Sequence, residues 1–153
     1  MKNVKIKDLR QGVTLYYVMA FPLESKGGNA TVQPYSIQSR AYLKPLSGKG
    51  ILRSVLADAL WFKETHPRAY RWWHDTKPNK PLVSTHSVRD SGIAVGKTNY
   101  NFHRMFHTQK QAQRYADRMN SGCLTHEERL HALEMIERDQ MFAAFDTYWD
   151  DRY

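Results

Sequence analysis

One cysteine in 153 residues, Cys123, leaves no disulfide to be formed within the chain. That excludes a small secreted scaffold held by cross-links and fits a reducing compartment. Beside a helix end, Cys123 reads as a small core-facing residue rather than a nucleophile. Long apolar runs are missing too. The charged lead Lys2, Lys5, Lys7, Arg10 ahead of VTLYYVMAFPL has the outline of a signal peptide. However, Asp8 and Gly12 interrupt it, Pro22 falls inside the run, and no clean small-x-small cleavage site follows, so it reads as a strand. Nothing approaches the ~20 apolar residues of a membrane helix, which predicts a soluble chain with no membrane partner.

Acidic residues are scarce and unevenly placed. The chain carries 23 Lys and Arg against 15 Asp and Glu, net +8, with a pI near 9.6. Residues 1–122 hold 20 cations against 7 anions, net +13, and residues 123–153 hold 3 against 8, net −5. A basic body attracts polyanions by releasing their counterions, so DNA or RNA is the first expected partner. The acidic segment reads as a shield for that face, a contact for a basic partner, or a counterweight to the body. With 41% apolar and 12% aromatic residues the chain is too rich to be disordered. At this length about two thirds of the unfolded surface can be buried.

The order of elements predicts a single α+β domain over 1–153, a small antiparallel sheet packed with about three helices. Val4 and Ile6 alternate with Lys5 and Lys7, and residues 13–21 suit a strand that Pro22 and ESKGGNA end. TVQPYSIQSRAYL is a second extended segment, confined by Pro34 to an edge or a bulge. The two read as an antiparallel hairpin with a long, mobile tip. In ILRSVLADALWF the spacing of Ile51, Leu52, Val55, Leu56, Ala59 and Leu60 predicts a core helix. Residues 64–81, with three prolines and no period, predict a long irregular loop. LVSTHSV and the segment around NYNFHRMFH read as strands joined through Asp90-Ser91-Gly92.

Two helices follow, Gln109–Asn120 and about 126–149. Thr108 with Gln111, and Thr125 with Glu128, have the spacing of capping boxes, and Ser121-Gly122 sits where a left-handed C-cap belongs. The body 1–122 is then basic and the helical segment 123–153 acidic.

Within FHRMFH, His103 and His107 stand four apart, but Arg104 occupies the position where a zincin needs its glutamate, and no carboxylates cluster nearby. No metal and no cofactor are predicted. Imidazoles can also cleave RNA by acid–base transfer. His86, His103 and His107, with Lys97, Tyr100 and Arg104, supply the residue types for a metal-independent ribonuclease. The paired His-x-Thr/Ser signatures of ligase-like phosphoesterases are not matched.

The helix after Thr108 separates more cleanly into two faces. Ala112, Tyr115, Ala116 and Met119 form a core face, while Lys110, Arg114 and Arg118 line up on the other, a row suited to phosphates or to solvent. In RAYRWWHDTKPNK, cations and aromatics interleave: Arg68, Arg71, Trp72, Trp73, Lys77 and Lys80 fit base stacking, a protein partner, or a lid on the core.

The segment FHTQKQAQRYADRMNSGCLTHEER, and the opening KIKDLRQGVTLYYV, resemble stretches of short proteins encoded by tailed bacteriophages. The shared residues, Thr108, Gln111, Ala112, Tyr115, Gly122 and Thr125, cap and pack helices and carry no catalytic assignment. The resemblance implies an accessory or host-takeover protein in the cytoplasm of a bacterial host. The expected function is non-enzymatic binding of DNA, RNA or a nucleoprotein complex through Arg104, Lys110, Arg114, Arg118 and the loop 68–80. The alternatives are a protein inhibitor of a host or defence enzyme, and the ribonuclease.

Overall fold

A computed structural model describes residues 3–20, 30–45, 48, 50–76, 83–93 and 102–150; of 73–76, 139 and 145–150 it describes the backbone alone. Six strands form one antiparallel sheet: β1 (Thr14–Met19), β2 (Thr31–Ile37), β3 (Tyr42–Pro45), β4 (Ile51–Asp58), β5 (Val83–Ser87) and β6 (Arg104–Phe106). Their order is β3-β4-β2-β1-β6, with β5 on the other edge of β4. Helices α1 (Leu60–Thr65) and α2 (Pro67–Thr76) follow β4, and α3 (Gln109–Asn120) and α4 (His126–Asp150) close the described chain. The fold is α+β.

Strand alternation decides which helix covers which face. Leu15 and Tyr17 of β1 join Tyr35, Ile37, Val55 and Met105 in a core cluster that Trp61 and Phe62 of α1 cover. Val18 and the following Ala20 turn the other way, into a second cluster with Phe106 and with Ala112, Tyr115, Ala116 and Met119 of α3. Thus α1 and α3 lie on opposite sides of the sheet. Each large apolar side chain buried there contributes about 1.5–3 kcal/mol.

The expected hairpin of the first two extended segments is present. β1 and β2 pair antiparallel from Thr14↔Ser36 to Met19↔Thr31; the tip, 21–29, lies outside the described residues. Ile37 donates to Val13 O and accepts from Gly12 N, both at 2.8 Å, which turns odd residues of β2 toward β1. Pro34 therefore points its nitrogen to the other edge, where β4 reaches only Ser36 and Ile37. The second extended segment breaks after β2 into β3, and both parts line the same edge of β4.

Two expectations are corrected. Residues 51–58 are a strand, not a core helix: β4 is central, paired with β3, β2 and β5, and Ser54, Val55, Ala57 and Asp58 are all buried. Burial on both faces erases the two-residue period and leaves an apolar spacing that mimics a helix. Residues 67–76 are helix α2, not loop. Pro67 takes the first helical position, where its missing N–H costs nothing, and buried Tyr70 anchors α2 by donating to Asp58 Oδ2 at 3.3 Å. The two strands expected on either side of Asp90-Ser91-Gly92 are β5 and β6; β5 pairs with β4 and β6 with β1.

The C-terminal helices begin and end as their sequence predicts. Thr108 Oγ1 accepts from Gln111 N at 3.2 Å. Gly122, at φ 74°, terminates α3 in a Schellman turn, with Cys123 N donating to Arg118 O at 3.1 Å and Gly122 N to Met119 O at 3.3 Å. Cys123 itself is exposed, which corrects its core-facing reading: past the left-handed glycine the chain has already left the core. Thr125 and Glu128 form a complete capping box, each side chain accepting from the other's amide. No helix among the described residues is long and apolar enough to cross a membrane.

Candidate nucleic-acid interface

Tyr115 is the hub of the α3 surface. Its hydroxyl donates to Phe102 O at 2.7 Å, which fixes the ring. Arg104 of β6 and Arg118 of α3 both reach that ring, their guanidinium carbons 5.8 and 5.5 Å from its centroid. Arg104 also lies 5.3 Å from the Phe106 centroid and donates to Asn3 Oδ1 at 2.7 Å. Burial pushes the Tyr115 phenol up, with Glu128 adding to the shift and the two arginines opposing it, so the phenol stays neutral.

Around this hub lies a cleft of about 190 Å³ lined by Asn3, Arg104, Phe106, Arg114, Tyr115 and Arg118, among others. Asn3 and Gln111 also line a wider cleft of about 860 Å³ with Lys5, Lys7, Asp8, His107 and Thr108. The two open side by side. Cations from the N-terminal segment, β6 and α3 therefore converge, interleaved with an aromatic ring. This arrangement can hold successive phosphates.

The cations are not equivalent. Arg118 is tied to Glu128 by an ion pair, its Nη2 donating to Oε2 at 3.0 Å, and Nη1 also donates to Cys123 O at 3.2 Å. Burial alone would raise the Glu128 carboxyl; hydrogen bonds from Arg118 and the Thr125 amide, with the arginine's charge, outweigh it and hold the group below its usual range. Arg118 thus presents less free charge than Arg114, which is exposed. Lys110 is exposed as well, but it lines a separate groove with Gln109, Gln113, Arg114 and Asp117. Arg114 belongs to both surfaces.

The second basic strip is elsewhere. Arg68, Arg71 and Trp72 sit on α2, which packs on α1 and so lies across the sheet from α3; all three are exposed, Trp72 by 66%. Of Trp73 only the backbone is described, and Lys77 and Lys80, like Lys97 and Tyr100, lie outside the described residues. The α3 row and the strip on α2 are two surfaces, not one groove.

The histidines meet only in part. His86 and His103 flank Tyr17, with ring centroids 6.2 and 5.7 Å from it, and His86 is 4.8 Å from the Tyr35 ring. His103 Nδ1 accepts from Ala20 N at 3.2 Å, so its proton sits on Nε2 in the neutral form. Burial lowers both imidazoles, with Asp90 partly opposing at His103. Burial pushes the Tyr17 phenol up to about 12, aided by Tyr35 and Asp90. His107 stands apart beyond β6, its Nε2 3.5 Å from Asp8 Oδ2.

Asn3, Lys5 and Lys7 carry no sequence signal that marks them as site residues. Arg104 and Asn3 are separated by 101 positions, and only pairing of β6 with β1 brings them together. The one local hint is the alternation of lysine with Val4 and Ile6, whose apolar members turn inward.

A family model described as Phage g100-like protein matches residues 3–119, well over half of the chain, and the chain belongs to that family. The matched span includes all six described strands and all but the last residue of α3, and it stops before α4. No curated protein and no solved structure matches the chain.

Proposed function

We propose that this Phage g100-like protein is a non-enzymatic accessory protein that binds nucleic acid through the paired clefts beside α3. The observation that carries this reading is the convergence of Arg104, Arg114 and Arg118 around Tyr115, continuous with Lys5 and Lys7. Guanidinium groups fit phosphate oxygens in a bidentate fork. The cleft is narrow and Tyr115, 4% exposed, forms its buried floor, which favours a flexible single strand over a rigid duplex. Ribonuclease chemistry has less support, because His103 Nδ1 is committed to Ala20 and His107 is remote from the other two.

The test is fluorescence anisotropy with labelled single-stranded DNA, RNA and duplex at low salt, on the wild type and an Arg104→Gln/Arg114→Gln double variant. Binding that weakens at least about tenfold in the double variant supports the reading. No binding to any of the three rejects it. A stable protein partner from nuclease-treated bacterial lysate would then favour inhibition of a host enzyme through the exposed Trp72 surface of α2.

A further inference from the structure

The wide cleft beside α3 contains one group that a phosphate site does not need. Asp8 lines it together with Lys5, Lys7, His107 and Gln111, and a carboxylate among cations repels a phosphate instead of holding it. Its Oδ2 has a local task, accepting from Lys5 N at 2.8 Å across the helical turn Ile6–Asp8. The same oxygen lies 3.5 Å from His107 Nε2. Among the described residues Oδ1 takes no hydrogen bond, so a carboxylate that is fixed in place and 25% exposed keeps acceptor capacity for a ligand in the cleft.

The groups around it are donors. Asn3 Oδ1 accepts from Arg104 Nη2 at 2.7 Å, which leaves the amide NH2 of Asn3 to the two clefts it lines. Lys5 and Lys7 are exposed, and an ammonium can only donate. At about 860 Å³ the wide cleft has the size of a small-molecule site, whereas the arginine cleft of about 190 Å³ falls below that range. One suits a base, the other a phosphate.

On the reading that these clefts bind a single strand, we propose that the wide cleft is a guanine site. The Asp8 carboxylate accepts from N1–H and the N2 amine of an unpaired guanine, Lys5 or Lys7 donates to O6, and the flanking phosphate lies against Arg104 and Arg114. Unpaired bases expose their Watson–Crick edges, and guanine alone sets two adjacent donors there. Adenine and cytosine present one amine beside an acceptor nitrogen, and thymine and uracil one N–H between two carbonyls. Each of these turns an acceptor toward the carboxylate, so Asp8 rejects them as well as selecting guanine.

Fluorescence anisotropy with the full chain, at neutral pH and low salt, tests this with labelled oligothymidylate and with the same strand carrying one central deoxyguanosine, deoxyinosine or deoxyadenosine. A strand can shift its register, so one guanine suffices to find the cleft. The guanine strand should bind at least about tenfold tighter than the rest, inosine losing the advantage because it lacks the N2 amine. Asp8→Asn keeps an oxygen for Lys5 N and puts an NH2 in place of Oδ1. With unchanged circular dichroism it should lose the guanine preference, while oligothymidylate binds at least as tightly because a repelling charge is gone. Binding of oligothymidylate with no preference for guanine overturns the guanine site and leaves the nucleic-acid reading standing. So does inosine that matches guanine, or an Asp8→Asn chain that keeps the preference. Absence of binding to every strand overturns both.

Discussion

Glu128 does two jobs with one carboxylate: its Oε1 accepts from the Thr125 amide at 2.8 Å, and its Oε2 accepts from Arg118 Nη2 at 3.0 Å. The start of α4 is thereby fastened to the last turn of α3. The same ion pair draws on a cation of the proposed binding cleft, so stability and binding place opposite demands on Arg118.

Glu128→Ala should separate those demands. Removing the capping box and the partner of a partly buried guanidinium should cost about 2–3 kcal/mol in urea unfolding. Arg118 is released at the same time, so affinity for a single-stranded oligonucleotide should rise by about threefold at low salt. Reduced affinity in the folded variant would mean that Arg118 must be held by Glu128 to bind.

Gly92 should tolerate no side chain. Its φ is 70°, and a Cβ there would run into His103 O and come within 3.0 Å of Arg104 Cα. Both obstacles are backbone, which cannot rotate away. Gly92→Ala should therefore cost about 2–4 kcal/mol. Gly122→Ala, with positive φ but nothing near the added atom, should cost only about 1 kcal/mol. Comparable destabilisation of the two variants by denaturant titration would remove close approach as the explanation at Gly92.

Stability should fall in two stages as pH drops. His86 and His103 are held below the usual imidazole range by burial. They bind protons more weakly folded than unfolded, so their contribution is intact above about pH 6.5 and is lost as pH falls toward the folded values. Glu128, lowered by its partners against burial, acts later: its contribution is intact above about pH 4.3 and lost as pH falls through its folded value. Unfolding free energies from pH 7 to 3 should show both declines, and His103→Gln should flatten the first. An unchanged slope in that variant would assign the upper stage to other groups.

How much of this is legible in the sequence depends on how local the determining interactions are. The two faces of α3, its Thr108 cap and its Gly122 stop are written within one helix and its flanks, and all are readable there. β4 is not, because neighbours on both edges and cover on both faces remove the alternation that marks a strand. In α2, a proline-rich composition suggests a broken chain, although Pro67 stands at the first helical position, where proline starts a helix. For the site, Arg104, Arg114 and Arg118 can be named singly, but their meeting with Asn3, Lys5 and Lys7 depends on a strand pairing across the whole length of the domain. Nothing local separates that cleft from the strip on α2.

That separation makes the last prediction. If the α3 cleft is the binding surface, removing one phosphate-neutralising cation from it should reduce the slope of log affinity against log salt by about 0.7 on a single strand. Arg104→Gln and Arg114→Gln, which take cations from the same cleft, should each lower the slope by about that amount and act additively. Lys110→Gln should have a smaller effect, because Lys110 faces the neighbouring groove. Arg68→Gln/Arg71→Gln, on α2 across the sheet, removes as much charge as the cleft pair and should leave the slope unchanged. The net charge falls equally in the two double variants, so non-specific attraction predicts that both slopes fall alike. Equal slopes would show that nucleic acid follows overall charge rather than the cleft; a fall confined to the cleft pair would place the strand beside Tyr115.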